Sequence, residues 1–520
     1  MLGTVFNVHR DIETTWTERA SLHRLVEPTK PVRRELIDRP DSQGRRTGPR
    51  HGDFVYDIPI KEELEACLKH DLSLLDKLRA AADAWKKTRP ERGAGTTVYV
   101  DISDGKVLQR HPELGVHADW SDGSLRLAFI LYYDDLEVVN PLGAFHGRHK
   151  LGMFYWTLVN NHQAERMSFA NIHLMTIALS SDIDYYGINQ VVSGIDGDTS
   201  FGSCMTALDT GISVAIPNGE PVLVRGWCVC LSADFPAAAL CCGFKKSTSA
   251  ALFCRECYVN QNDEDYPRPG SFLDDNSQLL CSSCLRDKQE MLSDYAYWQS
   301  LPNKKKQDAF LKSIGLNTWD HAFSRVPHFD VCTNVPWDFM HVELEGNLKN
   351  ELAAMLYYFQ RQRPTWSFTL DKLNAAIRAY PWPGGFSPPI FTMGYLEKGT
   401  KQNLCKKGTH VHMTSGDMLI FARHSIDVML PLIGDTSDPL WRSWVVHVKY
   451  VRLLLQHEIT HAELIELDQL IYEHHELFIQ TNAQEYGAPP AHTPSPPSPS
   501  GAPLRHVARP CVHQSVRLRL

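Results

Sequence analysis

The run Leu125-Arg126-Leu127-Ala128-Phe129-Ile130-Leu131-Tyr132-Tyr133-Asp134-Asp135 decides how this chain is read. Its apolar and aromatic stretch is too short for a membrane span and reads as a β-strand. It then runs straight into two carboxylates. Working outward, residues 151–159 and 172–179 read as further strands, with turn formers around Asn160-Asn161 between them. Residues 181–192 read as a helix, and 212–217 and 222–232 as strands. The last of these leads directly into Asp234, after which 236–242 looks helical.

Three strands, a helix and another strand is the order of ribonuclease-H-like folds, in which the first and fourth strands lie side by side and parallel. An acid ending each strand then meets its counterpart at the sheet edge. Here those acids are Asp134 or Asp135 on the first strand and Asp234 on the fourth. Paired carboxylates at that place can hold two Mg²⁺ ions, one activating the attacking oxygen and one stabilising the leaving oxygen of a phosphoryl transfer. A third acid from a later helix normally completes such a site. The plainer reading is that the aspartates cap strands and face solvent.

Cys254-x-x-Cys257 is followed, after 23 residues, by Cys281-x-x-Cys284. Two residues between cysteines let both sulfurs reach one tetrahedral ion, and the long loop lets the second pair fold back, so the spacing predicts a four-thiolate zinc knuckle. Cys228, Cys230, Cys241 and Cys242 stand among apolar residues and read as buried small side chains. His173, His410, His412 and the pair His474-His475 read as satisfying local hydrogen bonds.

The chain has 520 residues, 43% of them hydrophobic and 22% charged, which suits a globular protein of two or three packed units. A net charge of −8 argues against a protein that coats nucleic acid over its whole surface, while leaving room for a local basic groove. The sequence has no run of about 18 apolar residues and no secretion signal at its start, so the expectation is an intracellular protein that does not engage a membrane. Thirteen cysteines then read as reduced thiols or metal ligands. The expected organisation is a polar segment without regular structure over 1–52, a helical lead-in over 53–120 and an α/β core over 121–253. A knuckle over 254–290, a helical region over 291–482 and a proline-rich tail over 483–520 follow.

With these landmarks in order, the chain resembles transposases of the CACTA (En/Spm) type. The matching stretches are 132–143 with His149-Lys150-Leu151-Gly152, 231–244 leading to Cys254-Arg255-Glu256-Cys257, and 328–331. Residues 336–346, Leu432-Ile433-Gly434-Asp435 and 473–478 also match. The resemblance implies a nuclear enzyme that cuts and joins DNA at transposon ends with Mg²⁺ or Mn²⁺, and that can self-associate. It gives Asp134 or Asp135 and Asp234 the catalytic roles, and Cys254 and Cys257 half of a zinc site. Asp338, His341 and Glu345 mark an auxiliary stretch whose acid and imidazole would orient metal or DNA, or cap the following helix. Ala233-Asp234 stands where family members often have Gly-Asp. The paired histidines and the glutamate that follow the 473–478 stretch in the family are not found, so the expectation is a transposon-derived chain that no longer cleaves. The alternative is a DNA- or protein-binding module that keeps the knuckle and helices for recognition.

Overall fold

A computed structural model describes residues 29–36, 54–71, 73–86, 98–137, 150–166, 168–194, 198–217, 219–247, 250–258, 260, 285–362, 368–396 and 411–485. The chain divides into two compact units. One comprises residues 1–90, 101–244 and 316–336, the other 91–100, 245–315 and 337–520. The two units interleave in sequence: 245–258 and 285–315 fall with the C-terminal helices, and 316–336 falls with the sheet.

The first unit is built on a seven-stranded mixed sheet. Its strands are β1 (Val32–Glu35), β2 (Phe54–Asp57), β3 (Leu125–Glu137), β4 (Lys150–Leu158), β5 (His173–Leu179), β6 (Ile212–Val214) and β7 (Val222–Ser232). Their spatial order is β1-β2-β5-β4-β3-β7-β6. β3 pairs antiparallel with β4, β4 antiparallel with β5, and β3 parallel with β7. β1 lies within the stretch expected to lack regular structure. It is held there by its ladder to β2 and by Arg34, which grips the buried carboxylate of Asp57 through Nε at 2.5 Å.

β3 is central, and both of its faces are buried. Ala128 and Ile130 pack with Trp85, Leu114, Trp227 and Val229 on one face. On alternate positions Phe129 meets Trp156 edge-on and Tyr133 stacks on Phe154 with ring centroids 4.3 Å apart. The strand does not stop at the aspartates, as the sequence suggested. Asp134 and Asp135 still pair with Met153 and Gly152 of β4, whereas pairing with β7 ends at Tyr132–Ser232.

Helices α1 (Ile60–His70), α2 (Leu74–Lys86), α3 (Ser180–Tyr186), α4 (Ile188–Val192), α5 (Phe201–Thr210) and α6 (Phe235–Cys242) accompany the sheet. Asp234 caps α6, accepting from the Ala237 amide at 2.7 Å. Gly243 closes the same helix at φ +76°. Cys228, Cys230, Cys241 and Cys242 are buried, as read.

The second unit is mainly helical among its described residues, with one short antiparallel pairing of Val98–Tyr99 and Ile459–Thr460. It holds α7 (Lys288–Ser300), α8 (Lys304–Ser313), a π-helix (Met340–Asn347), α9 (Leu348–Gln362), α10 (Leu370–Ala379), α11 (Ser415–Met429), α12 (Pro439–Leu454) and α13 (His461–Glu485). Thr369, Thr414 and Asp438 cap α10, α11 and α12 with their side-chain oxygens. Leu348, Leu352, Leu356, Phe421, Trp444 and Val451 lie in one apolar core. No helix of the described residues is long and apolar enough to cross a membrane.

Candidate metal centres

The parallel ladder of β3 and β7 sets the register of the aspartates beyond it. Its last pair is Tyr132–Ser232, and two residues beyond each member stand Asp134 and Asp234. Residues paired in a parallel ladder point to the same face, so Asp134 is the acid in step with Asp234. Asp135 points the other way, on the side of Tyr133. There its Oδ1 accepts from the Tyr133 hydroxyl and from Ser180 Oγ, each at 3.1 Å. Asp134 is exposed and Asp234 half-buried at the mouth of α6. Buried beside this edge, the Tyr133 phenol is pushed up by desolvation and by nearby acidic groups, so it stays a proton donor to Asp135.

Cys254 and Cys257 are both buried in the second unit. The Glu256 amide donates to Cys254 Sγ at 3.3 Å. Leu285 bridges to Cys257 in antiparallel fashion, and Arg286 donates its backbone amide to Glu256 O and its Nε to Cys254 O. Arg255 lies over the Trp337 ring, 3.9 Å from its centroid. Cys281 and Cys284 lie outside the described residues, but the residue following Cys284 is the one that bridges to Cys257.

Asp338 accepts from the Met340 amide at 2.9 Å and meets His341 Nδ1 at 2.5 Å, so it starts the π-helix and holds the imidazole three residues on. Glu345 faces Lys349 at 3.9 Å. Among the described residues, two sets offer three ligand atoms within 4.8 Å of one another, and neither contains Asp134, Asp135, Asp234, Asp338, His341 or Glu345.

The first set is Glu63, Cys67 and His173. His173 Nδ1 lies 2.9 Å from Glu63 Oε1, and its ring stacks on Trp156. The Cys67 thiol is pushed up to about 12 by burial and by the charge of Glu63, so it is no nucleophile. The second set, Glu351, His447 and His474, is fully buried and was missed in the sequence. Glu351 Oε2 sits 2.9 Å from His474 Nε2 and is also hydrogen-bonded to His447 Nδ1, while its Oε1 accepts from Ser443 Oγ at 2.5 Å. His447 Nε2 lies 3.0 Å from Glu343 Oε2, which also accepts from the Tyr450 hydroxyl at 3.0 Å. Burial opposes charge on Glu351, but the two imidazoles outweigh it and hold the carboxyl well below its usual range. The readable signal was polar residues recurring on apolar helical faces: Glu343, Asn347 and Glu351 every four residues, and Ser443, His447 and Tyr450 at four and three.

Searches of protein-family models and of curated proteins return no match to this chain.

Proposed function

We propose that this chain is a transposase-like protein of the CACTA type, built on a ribonuclease-H-like two-metal core for polynucleotide phosphoryl transfer. The observation that carries the reading is the register of β3 and β7, which puts Asp134 in step with Asp234 at the end of a parallel strand pair. The strand directions support it as well, with β5-β4-β3-β7 running antiparallel, antiparallel, parallel. In this reading Asp134 and Asp234 bind Mg²⁺ or Mn²⁺, and Asp135 positions the strand end through Tyr133 and Ser180. Cys254, Cys257, Cys281 and Cys284 hold a structural zinc ion. The cleavage and strand transfer are ancestral: the chain as it stands binds metal without cutting, and its partner is duplex DNA in the nucleus at the ends of the element that encodes it.

The test is Mn²⁺ binding followed by electron paramagnetic resonance on the full chain. The reading expects binding that Asp134→Asn and Asp234→Asn each weaken and Asp135→Asn leaves nearly intact. Binding insensitive to Asp134 and Asp234 would overturn it.

A further inference from the structure

We propose that Glu351, His447 and His474 form a second metal site, a structural centre for a divalent first-row transition ion, zinc above all, in the core of the helical unit. It is separate from the strand-end carboxylates and from the cysteines, and it does not rest on the transposase reading.

The site is assembled from three helices. Glu351 comes from α9, His447 from α12 and His474 from α13, and the three ligand atoms lie within 4.8 Å of one another. The side chains of all three are no more than 1% exposed. Each atom arrives already aimed. Ser443 Oγ holds Glu351 Oε1 and thereby turns Oε2 toward the two rings. Glu343 holds His447 Nε2, which fixes Nδ1 as the nitrogen facing Glu351. Glu343 is itself fixed by the Tyr450 hydroxyl and by Asn347 Nδ2 at 3.1 Å. A carboxylate that orients a histidine through its far nitrogen is the usual support of a metal-bound imidazole. Glu343 is brought to this place by the wide turn of the π-helix, a geometry that concentrates at functional sites.

Charge is compatible with the same assignment. Two carboxylates and two imidazoles lie in an apolar core, and burying such groups is costly unless their charges are matched. A divalent cation with two carboxylates and two neutral imidazoles sums to zero, and His447 Nε2–H then donates to Glu343. The donor set, two nitrogens and one oxygen, suits zinc or cobalt and disfavours Mg²⁺ and Ca²⁺, which take oxygen. Edges between ligands around zinc are about 3.3 Å for bonds of ~2.0 Å, so His474 Nε2 needs to retreat from Glu351 Oε2 by a few tenths of an ångström and His447 Nδ1, which sits closer, by about an ångström. Full burial makes the role structural: the ion ties α9, α12 and α13 together.

The experiment is Co²⁺ titration of the metal-stripped full-length protein, followed by visible absorption and X-ray absorption at the cobalt edge. The expected result is a bound cobalt with nitrogen and oxygen neighbours and imidazole outer-shell scattering. It persists in Cys254→Ser/Cys257→Ser protein and is lost in His447→Gln/His474→Gln protein. Glu343→Gln, which touches no proposed ligand atom of the ion, should weaken it by about 10- to 100-fold. Wild-type folded protein that binds no cobalt, or binds it through sulfur alone, overturns the proposal whatever the variants do.

Discussion

Tyr132 and Ser232 face each other across the parallel ladder of β3 and β7, the last pair before β7 gives way to helix α6. Every consequence for the two acids follows from that pair. Asp134 continues in step with Asp234, while Asp135 turns to the opposite face and is held by Tyr133 and Ser180. Exchanging Asp134 for Asn is therefore expected to reduce Mn²⁺ affinity as much as exchanging Asp234, and the double variant to lose little more. Isothermal titration of the four proteins checks this, and full additivity of the two effects would mean that the acids bind separate ions.

The strands themselves were legible in the sequence, because β3, β4, β5 and β7 carry dense apolar runs bounded by turn formers. The choice between Asp134 and Asp135 was not. A one-residue slip reverses the face of every side chain, and register lives in the pairing of two strands about a hundred residues apart in sequence. The same limit hid the buried Glu–His cluster. Glu351 and His447 sit on separate helices 96 residues apart, each among apolar neighbours, and only packing brings them together.

Zinc content should separate the two classes of ligand. The buried pair Cys254 and Cys257, with Leu285 bridged to Cys257, is expected to hold one ion with the second cysteine pair. Replacing Cys281 and Cys284 by serine should remove one equivalent of sulfur-bound zinc, about the stoichiometry of a four-ligand structural site. Metal analysis after gel filtration reads the change. Unchanged zinc would mean that Cys254 and Cys257 find other partners.

His321 should make the protein sensitive to mild acid. Burial pushes its imidazole down to about 4, against the opposing pull of Asp320, and Nδ1 accepts from the Phe323 amide at 3.2 Å. The unfolded chain titrates near 6.5, so between pH 6.5 and 4 it binds more protons than the folded one, and stability falls as pH drops through that window. The full linkage amounts to about 3 kcal/mol; partial exposure of the ring lowers the expected loss to ~1–2 kcal/mol. Urea unfolding at several pH values should show a flatter slope in His321→Asn, whose amide oxygen can still accept from Phe323. An unchanged slope would show that other groups govern acid stability.

Gly243 should resist substitution. It closes α6 at φ +76°, and a Cβ there would stand 2.4 Å from Thr318 O, a backbone atom that cannot rotate away. Its own carbonyl accepts from the Asn317 amide at 2.7 Å, so the backbone is pinned on both sides. Gly243→Ala is expected to cost about 1–3 kcal/mol from left-handed strain and the clash. It should also weaken Mn²⁺ binding, because α6 starts at Asp234. Thermal unfolding and metal titration on the same sample test both halves. A stable variant with impaired metal binding would show that α6 shifts without unfolding.

The last prediction concerns catalysis. In-line phosphoryl transfer needs both ions held at fixed separation, so that one activates the nucleophile while the other neutralises the leaving oxygen. In the proposed reading Asp134 and Asp234 share an ion, but among the described residues they join no set of three ligand atoms lying within 4.8 Å of one another. Glu351 is committed to His447 and His474 in the helical core, and Glu343 to His447 and Tyr450. Glu345 faces Lys349. Removing one member of a cooperating catalytic set costs orders of magnitude in rate, since the remaining members cannot act at full strength alone. The expected outcome is therefore metal binding without cleavage: supercoiled plasmid and linear fragments carrying the flanks of the coding sequence should stay intact with Mg²⁺ or Mn²⁺. Nicking that vanishes in Asp234→Asn would show that an acid outside the described residues completes the site and that the chain is an active nuclease.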